Sequence, residues 1–183
     1  MDPTQAPAGV ATPGASPARE ATEADVAFMR RALDLARRGD RTRGASPIGC
    51  VIVLNGEVIA EGHNEVGLRH DPTAHAEMVA IRRAGAVLKR DELHGATLYS
   101  TLQPCGMCTM ASIWSRIGRV VYGAERDQVH RMYFEDRHLD TMNFIRDAYR
   151  EDVEVIGRVL GDECAALYYG PDDEPPAEDV GNV

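Results

Sequence analysis

Residues 48–64 read IGCVIVLNGEVIAEGHN, two short Val/Ile-rich runs that meet at Asn55-Gly56. Asn-Gly supplies two residues that tolerate positive φ, as a type I′ turn requires, so the runs are expected to pair as an antiparallel hairpin. Outward from this hairpin the chain alternates between helical and strand periods. On its N-terminal side, EADVAFMRRALDLARRG (23–39) places Val26, Met29, Leu33 and Ala36 on one face, and Gly39 can close the helix. On its C-terminal side, HAEMVAIRRAGAVL (75–88) reads as helix, GATLYST (95–101) as strand, GMCTMASIWSRI (106–117) as helix and RVVYGAE (119–125) as strand. HLDTMNFIRDAY (138–149) then predicts a helix, VEVIGRV (153–159) a fifth strand and DECAALYY (162–169) a last helix. An antiparallel hairpin followed by strand–helix–strand units predicts a mixed five-stranded sheet between helices on both faces, a three-layer α/β/α fold.

The 183 residues, 44% of them hydrophobic, suffice for one domain with a real core and are few for two. Residues 1–21 are Ala, Pro, Thr, Ser and Gly with hardly a large apolar side chain, and 171–183 are acidic and proline-rich, so both are expected to be disordered tails around a domain at 22–170. There is no internal repeat. No run of about 18 apolar residues exists and the start lacks the pattern of a signal peptide, so the expected protein is soluble and cytoplasmic, without a membrane partner. Of the net charge of −9, much lies in the tails: between Ala21 and Tyr169 there are 22 acidic and 19 basic residues. A near-neutral domain disfavours a large nucleic acid as partner, although a local basic patch can hide in such a total. A small-molecule substrate is the better expectation.

The chemistry gathers where strands hand over to helices. DPTAHAEMVAI supplies His75 and Glu77 at one helix start, and QPCGMC supplies Cys105 and Cys108 at the next. Residues three apart on a helix share a face, and a helix N-terminus favours thiolate over thiol, so both sulfurs can serve one ion. Read from spacing alone, the two cysteines allow a redox pair, part of a structural zinc site, or two ligands of a catalytic zinc. Structural zinc takes four protein ligands, whereas catalytic zinc takes three and leaves a position for water. Cys50, inside IGCVIV, and Cys164, in DECAALYY, read as core residues, and His63, His70 and His94 are the spare histidines that could close a fourth position. A redox dithiol has no use for the His/Glu pair 30 residues upstream.

HxE followed by PCxxC is the signature of zinc-dependent nucleobase deaminases. The chain resembles the cytidine deaminase superfamily, and within it the branch of bacterial guanine deaminases and tRNA adenosine deaminases. PIGCVIV, EGHNEV, DPTAHAEMVAIRRA and YSTLQPCGMCTMASIW carry the resemblance in the right order over most of the expected domain. It implies a cytidine deaminase-like fold and one Zn²⁺ per subunit, held by His75, Cys105 and Cys108, with a catalytic water in the fourth position. It further implies that the activated water attacks the ring carbon bearing the amino group, with Glu77 moving protons between water, ring nitrogen and leaving amine. Asn64 and the backbone N–H of Ala76 are implied to contact the base.

For the substrate, YFEDRH resembles the Phe-acid-Asp segment of bacterial guanine deaminases, which marks Asp136 as a base-binding carboxylate and Phe134 or Trp114 as an apolar or stacking wall; Glu135 and Asp136 read from composition alone are an acidic turn. The expectation is deamination of guanine to xanthine and ammonia. The alternatives are a tRNA adenosine deaminase, or a deaminase of cytosine, a nucleoside or another amino-heterocycle. Ile48 stands where guanine deaminases usually carry an aromatic residue, Gln103 stands where the branch usually has glutamate, and beyond about Asp140 the chain does not match the guanine deaminase ending. The resemblance also implies a homodimer.

Overall fold

The structure, a computed structural model, describes residues 20–39, 46–134 and 153–176. The expected helix at 138–149 and most of both expected tails lie outside these residues. The first helix, α1 (Glu23–Arg38), begins with a capping box: the Thr22 hydroxyl accepts from the Asp25 N–H at 3.2 Å, and the Thr22 N–H donates to Asp25 Oδ2 at 2.8 Å. Met29, Ala32, Leu33 and Ala36 form its buried face, at the helical spacing the sequence predicts.

The hairpin forms as expected from β1 (Gly49–Leu54) and β2 (Glu57–His63). Asn55 and Gly56 take φ of 53° and 81°, the paired positive values of a type I′ turn. A bulge between Ile52 and Val53 shifts the register of the two strands. After β2 come a single turn of helix, α2 (Val66–Arg69), then α3 (Ala76–Leu88), β3 (Thr97–Leu102), α4 (Gly106–Trp114), β4 (Arg119–Ala124), two 3₁₀ turns at Arg126–Gln128 and Arg131–Tyr133, β5 (Glu154–Ile156) and α5 (Gly161–Ala165). The strand order is β2-β1-β3-β4-β5. β1 pairs antiparallel with both β2 and β3, while β3–β4 and β4–β5 are parallel, so the sheet is mixed as expected.

Two neighbours on β3 show the layering. The Tyr99 hydroxyl donates to Asp25 on α1 at 2.8 Å, and the Ser100 hydroxyl donates to Glu77 on α3 at 2.9 Å. Successive strand residues point to opposite faces, so α1 and α3 lie on opposite sides of the sheet. Met29, Leu33, Ile52, Leu98, Ile117 and Val121 are among its largest fully buried side chains. A Cβ at Gly62 on β2 would lie 2.5 Å from the Ala76 carbonyl oxygen and 2.9 Å from the Ala80 nitrogen. Only glycine lets the first turns of α3 lie this close to the sheet, and the first turn carries Glu77, two residues after His75.

Asp25, 1% exposed, also accepts from Arg119 on β4, through Nη1 at 2.5 Å and Nη2 at 2.9 Å. This two-pronged pair, with the Thr22 and Tyr99 donors, holds the Asp25 carboxyl well below the ordinary carboxylate range against the opposing effect of burial. Nothing in the local sequence pairs residues 94 positions apart.

Three elements are shorter than the periodicity predicts. α4 ends at Trp114 because Ser115 caps it, its hydroxyl donating to the Ala111 carbonyl at 2.7 Å, and Arg116 turns into the left-handed region at φ 60°. β5 stops at Ile156, after which Arg158 and Leu160 both take positive φ. α5 stops at Ala165, leaving Tyr168 and Tyr169 to leave the helix and pack elsewhere. Among the described residues no helix is long and apolar enough to cross a membrane.

Candidate active site

Two helix starts meet at one point. His75 caps α3 and Cys105 caps α4, both in extended backbone, and Cys108 follows three residues after Cys105 on the same face. His75 Nδ1 lies 3.7 Å from each sulfur, and the three donor atoms all fall within 4.8 Å of one another. Two ligands at about 2.3 Å and 2.0 Å on a tetrahedral zinc are roughly 3.5 Å apart, so the observed spacing fits one common ion. Among the described residues these three make the only such cluster. Cys50 and Cys164 are buried elsewhere, His63 sits by Glu65, and His94 pairs with Glu92 at the surface.

The Cys105 thiol is pulled down to about 4, first by the S–H that Cys108 donates to it and further by His75. Cys108 moves the opposite way, as the donor in that bond and through burial. Two sulfurs and an imidazole are a donor set suited to a soft divalent cation. Beside it is Glu77, buried, with Oε2 3.5 Å from Cys108 Sγ and Oε1 accepting from Ser100. Burial pushes the Glu77 carboxyl up from its ordinary value, and the charge of Cys105 adds to this.

His75, Glu77 and Cys105 face a recess whose remaining lining comes from Ser46, Ile48, Asn64, Leu102, Gln103 and Tyr133. Asn64 is buried and oriented. Its N–H donates to the Ile48 carbonyl at 3.1 Å and its Oδ1 accepts from the Val66 N–H at 3.0 Å, so its amide nitrogen is the group left for the recess. The next residue anchors the loop: buried Glu65 accepts from Arg83 Nη2 at 2.7 Å and also pairs with Arg69.

Of the residues singled out by sequence, the structure brings His75, Glu77, Cys105 and Cys108 together with Asn64. Ala76 opens α3, fully buried between two residues of the recess. Trp114 is 78% exposed at the far end of α4 and takes no part in the lining. Phe134 is buried beneath the Arg126 guanidinium, 4.5 Å from its ring centroid, and its neighbour Tyr133 lines the recess instead. Asp136 lies outside the described residues. Ser100 and Tyr133 are not singled out by sequence, although they stand in the stretches YSTLQPCGMCTMASIW and YFEDRH.

The fold and site define a zinc-dependent hydrolytic deaminase. A family model described as the cytidine and deoxycytidylate deaminase zinc-binding region matches residues 22–124, and the chain belongs to that family. Proteins of two named activities are among its relatives. The tRNA-specific adenosine deaminase of Buchnera aphidicola subsp. Baizongia pistaciae is 39% identical over 145 residues, covering 79% of this chain and 86% of that protein. The guanine deaminase of Bacillus subtilis is 43% identical over 109 residues, covering 60% and 70% respectively. Among solved structures, one from a study of tRNA adenosine-34 deaminases superposes with a TM-score of 0.65 at 36% identity, covering 77% of this chain and 98% of that one. Another, from work on guanine deaminase of Nitrosomonas europaea, gives 0.68 at 27% identity, covering 78% and 81%.

Proposed function

We propose that the chain deaminates a free purine base, guanine first, releasing xanthine and ammonia. His75, Cys105 and Cys108 hold zinc, which when bound supplies the Lewis acidity that makes a water deprotonable near neutral pH. Glu77 takes a proton from the attacking water and passes it to the ring nitrogen. It then carries the second proton to the amine as the C–N bond breaks, so that water's oxygen stays on carbon and NH₃ departs. A carboxyl raised by burial accepts and returns a proton more readily near neutrality than an exposed one. The Asn64 amide nitrogen donates to an acceptor on the base edge, and the Ala76 N–H contacts the base from the start of α3.

What favours a free base over a polyanion is the acidic stretch that follows the segment tied to the recess lining. Tyr169 O accepts from the His130 N–H at 2.7 Å, tying the end of the chain to the segment that carries Tyr133. Three residues further on come Asp172, Asp173 and Glu174, all exposed. These carboxylates repel a phosphate backbone that approaches them within a Debye length of about 8 Å. The tRNA-specific relatives support a second reading, deamination of an unstacked adenosine in tRNA.

Ammonia release from guanine, guanosine, cytosine, cytidine, adenosine and a tRNA transcript separates the two. Guanine is expected to be the best substrate; release from the transcript alone would overturn the first reading in favour of the second.

A further inference from the structure

The recess has three apolar lining residues, Ile48, Leu102 and Tyr133, and among the described residues Tyr133 is the one Phe, Tyr or Trp ring in that lining. A planar heterocycle gains most from a flat partner. The 3₁₀ turn Arg131–Tyr133 directs Tyr133 to the recess, and the extended backbone at Phe134, φ −135° and ψ 165°, sends the next side chain the other way, under Arg126.

We propose that Tyr133 is the wall against which the planar base is held, and that Tyr168 and Tyr169 are positioning residues that fix it. The proposal rests on the deaminase reading above and extends it to the residues that set base affinity. Three contacts hold the Tyr133 phenol. The Tyr169 N–H donates to its hydroxyl at 3.3 Å, the Tyr168 ring meets it edge-on with centroids 5.2 Å apart at 66°, and its turn is pinned through His130 to Tyr169.

Tyr168 also reaches the other two walls. Its hydroxyl is 2.8 Å from Thr101 Oγ1, and that oxygen accepts from the Gly49 N–H at 3.1 Å. Thr101 precedes Leu102 and Gly49 follows Ile48, so one hydrogen-bonded cluster holds the backbones of all three apolar walls. Residues 168–169, just past α5, thereby support the lining from a position some 35 residues away from Tyr133 in sequence.

The test is steady-state kinetics with the best substrate of the base panel, with zinc content and thermal melting recorded for each variant. Tyr133→Ala is expected to raise KM about tenfold with zinc retained and kcat changed far less. Tyr133→Leu, which keeps bulk without the ring, covers the case in which the smaller variant fails to fold and should behave alike. Tyr168→Leu is expected to raise KM roughly fivefold, and Tyr168→Phe, which keeps the ring contact, to recover most of that. Unchanged KM in both Tyr133 variants, or equal loss in both Tyr168 variants, overturns the proposal. Should the wild type release no ammonia from any panel member, the proposed function fails, and equilibrium dialysis of 8-azaguanine then judges the wall. Binding to the wild type that Tyr133→Leu weakens supports the wall; no binding, or equal binding, refutes it.

Discussion

Ser100 Oγ donates a 2.9 Å hydrogen bond to Glu77 Oε1, from a strand on to the helix start that also carries His75. One carboxylate oxygen is thereby fixed, and the other is left on the side of Cys108. In the proposed role of Glu77 as proton carrier, this bond sets the orientation of the carboxyl. Ser100→Ala is expected to lower kcat about tenfold at unchanged zinc content, measured by ammonia release and metal analysis. Unaltered kcat would mean that Glu77 is oriented by other contacts.

The metal set makes a prediction about which cysteines matter. Cys105→Ser and His75→Ala are expected to lose zinc, while Cys164→Ala keeps it, because Cys164 is buried away from the cluster. Dialysis against a chelator should abolish ammonia release and added zinc should restore it. Zinc retained in Cys105→Ser, or lost in Cys164→Ala, would contradict the assignment.

The Asp25–Arg119 pair belongs to stability rather than chemistry. Arg119→Met leaves a buried carboxylate without its counter-charge, with only the Thr22 and Tyr99 donors, and is expected to destabilise the fold by about 3 kcal/mol in denaturant titration. The acid dependence follows in sign. Asp25 titrates lower folded than unfolded, so its contribution is fully present above the ordinary aspartate value near pH 4. It is lost as pH falls from there toward the depressed folded value, because the unfolded chain takes up the proton first. Asp25→Asn should therefore flatten the fall of Tm below about pH 4. An acid limb as steep as that of the wild type would contradict this.

Gly62 links the sheet to the site. With a Cβ there only 2.5 Å from the Ala76 carbonyl, Gly62→Ala must push the start of α3 outward. A loss of about 2 kcal/mol, with reduced zinc content, is expected from melting and metal analysis. Full zinc occupancy and an unchanged Tm would show that α3 has room to move.

Much of this was legible beforehand because it is local. The Asn55-Gly56 turn, the apolar stripe of α1 and the βα junctions carrying His75 and Cys105 follow from residue type and spacing. What escaped depends on packing between distant segments. Nothing near Asp25 in the sequence points to Arg119. YFED suggested Phe134 as the wall, yet a single residue of backbone phase decides which of Tyr133 and Phe134 faces the recess. Trp114 looked available for the same reason, until its helix ended at Ser115 with the indole exposed. The periodicity of DECAALYY ran on through a helix that stops at Ala165, which frees the two tyrosines to support the pocket.

The most direct test of the central claim is Glu77→Gln, measured for zinc and for ammonia release together. The amide keeps the size of the side chain and can still meet Ser100, but it cannot take a proton. One zinc per chain with turnover reduced by about a thousandfold or more is the predicted result. Wild-type turnover in the zinc-loaded variant would contradict the account.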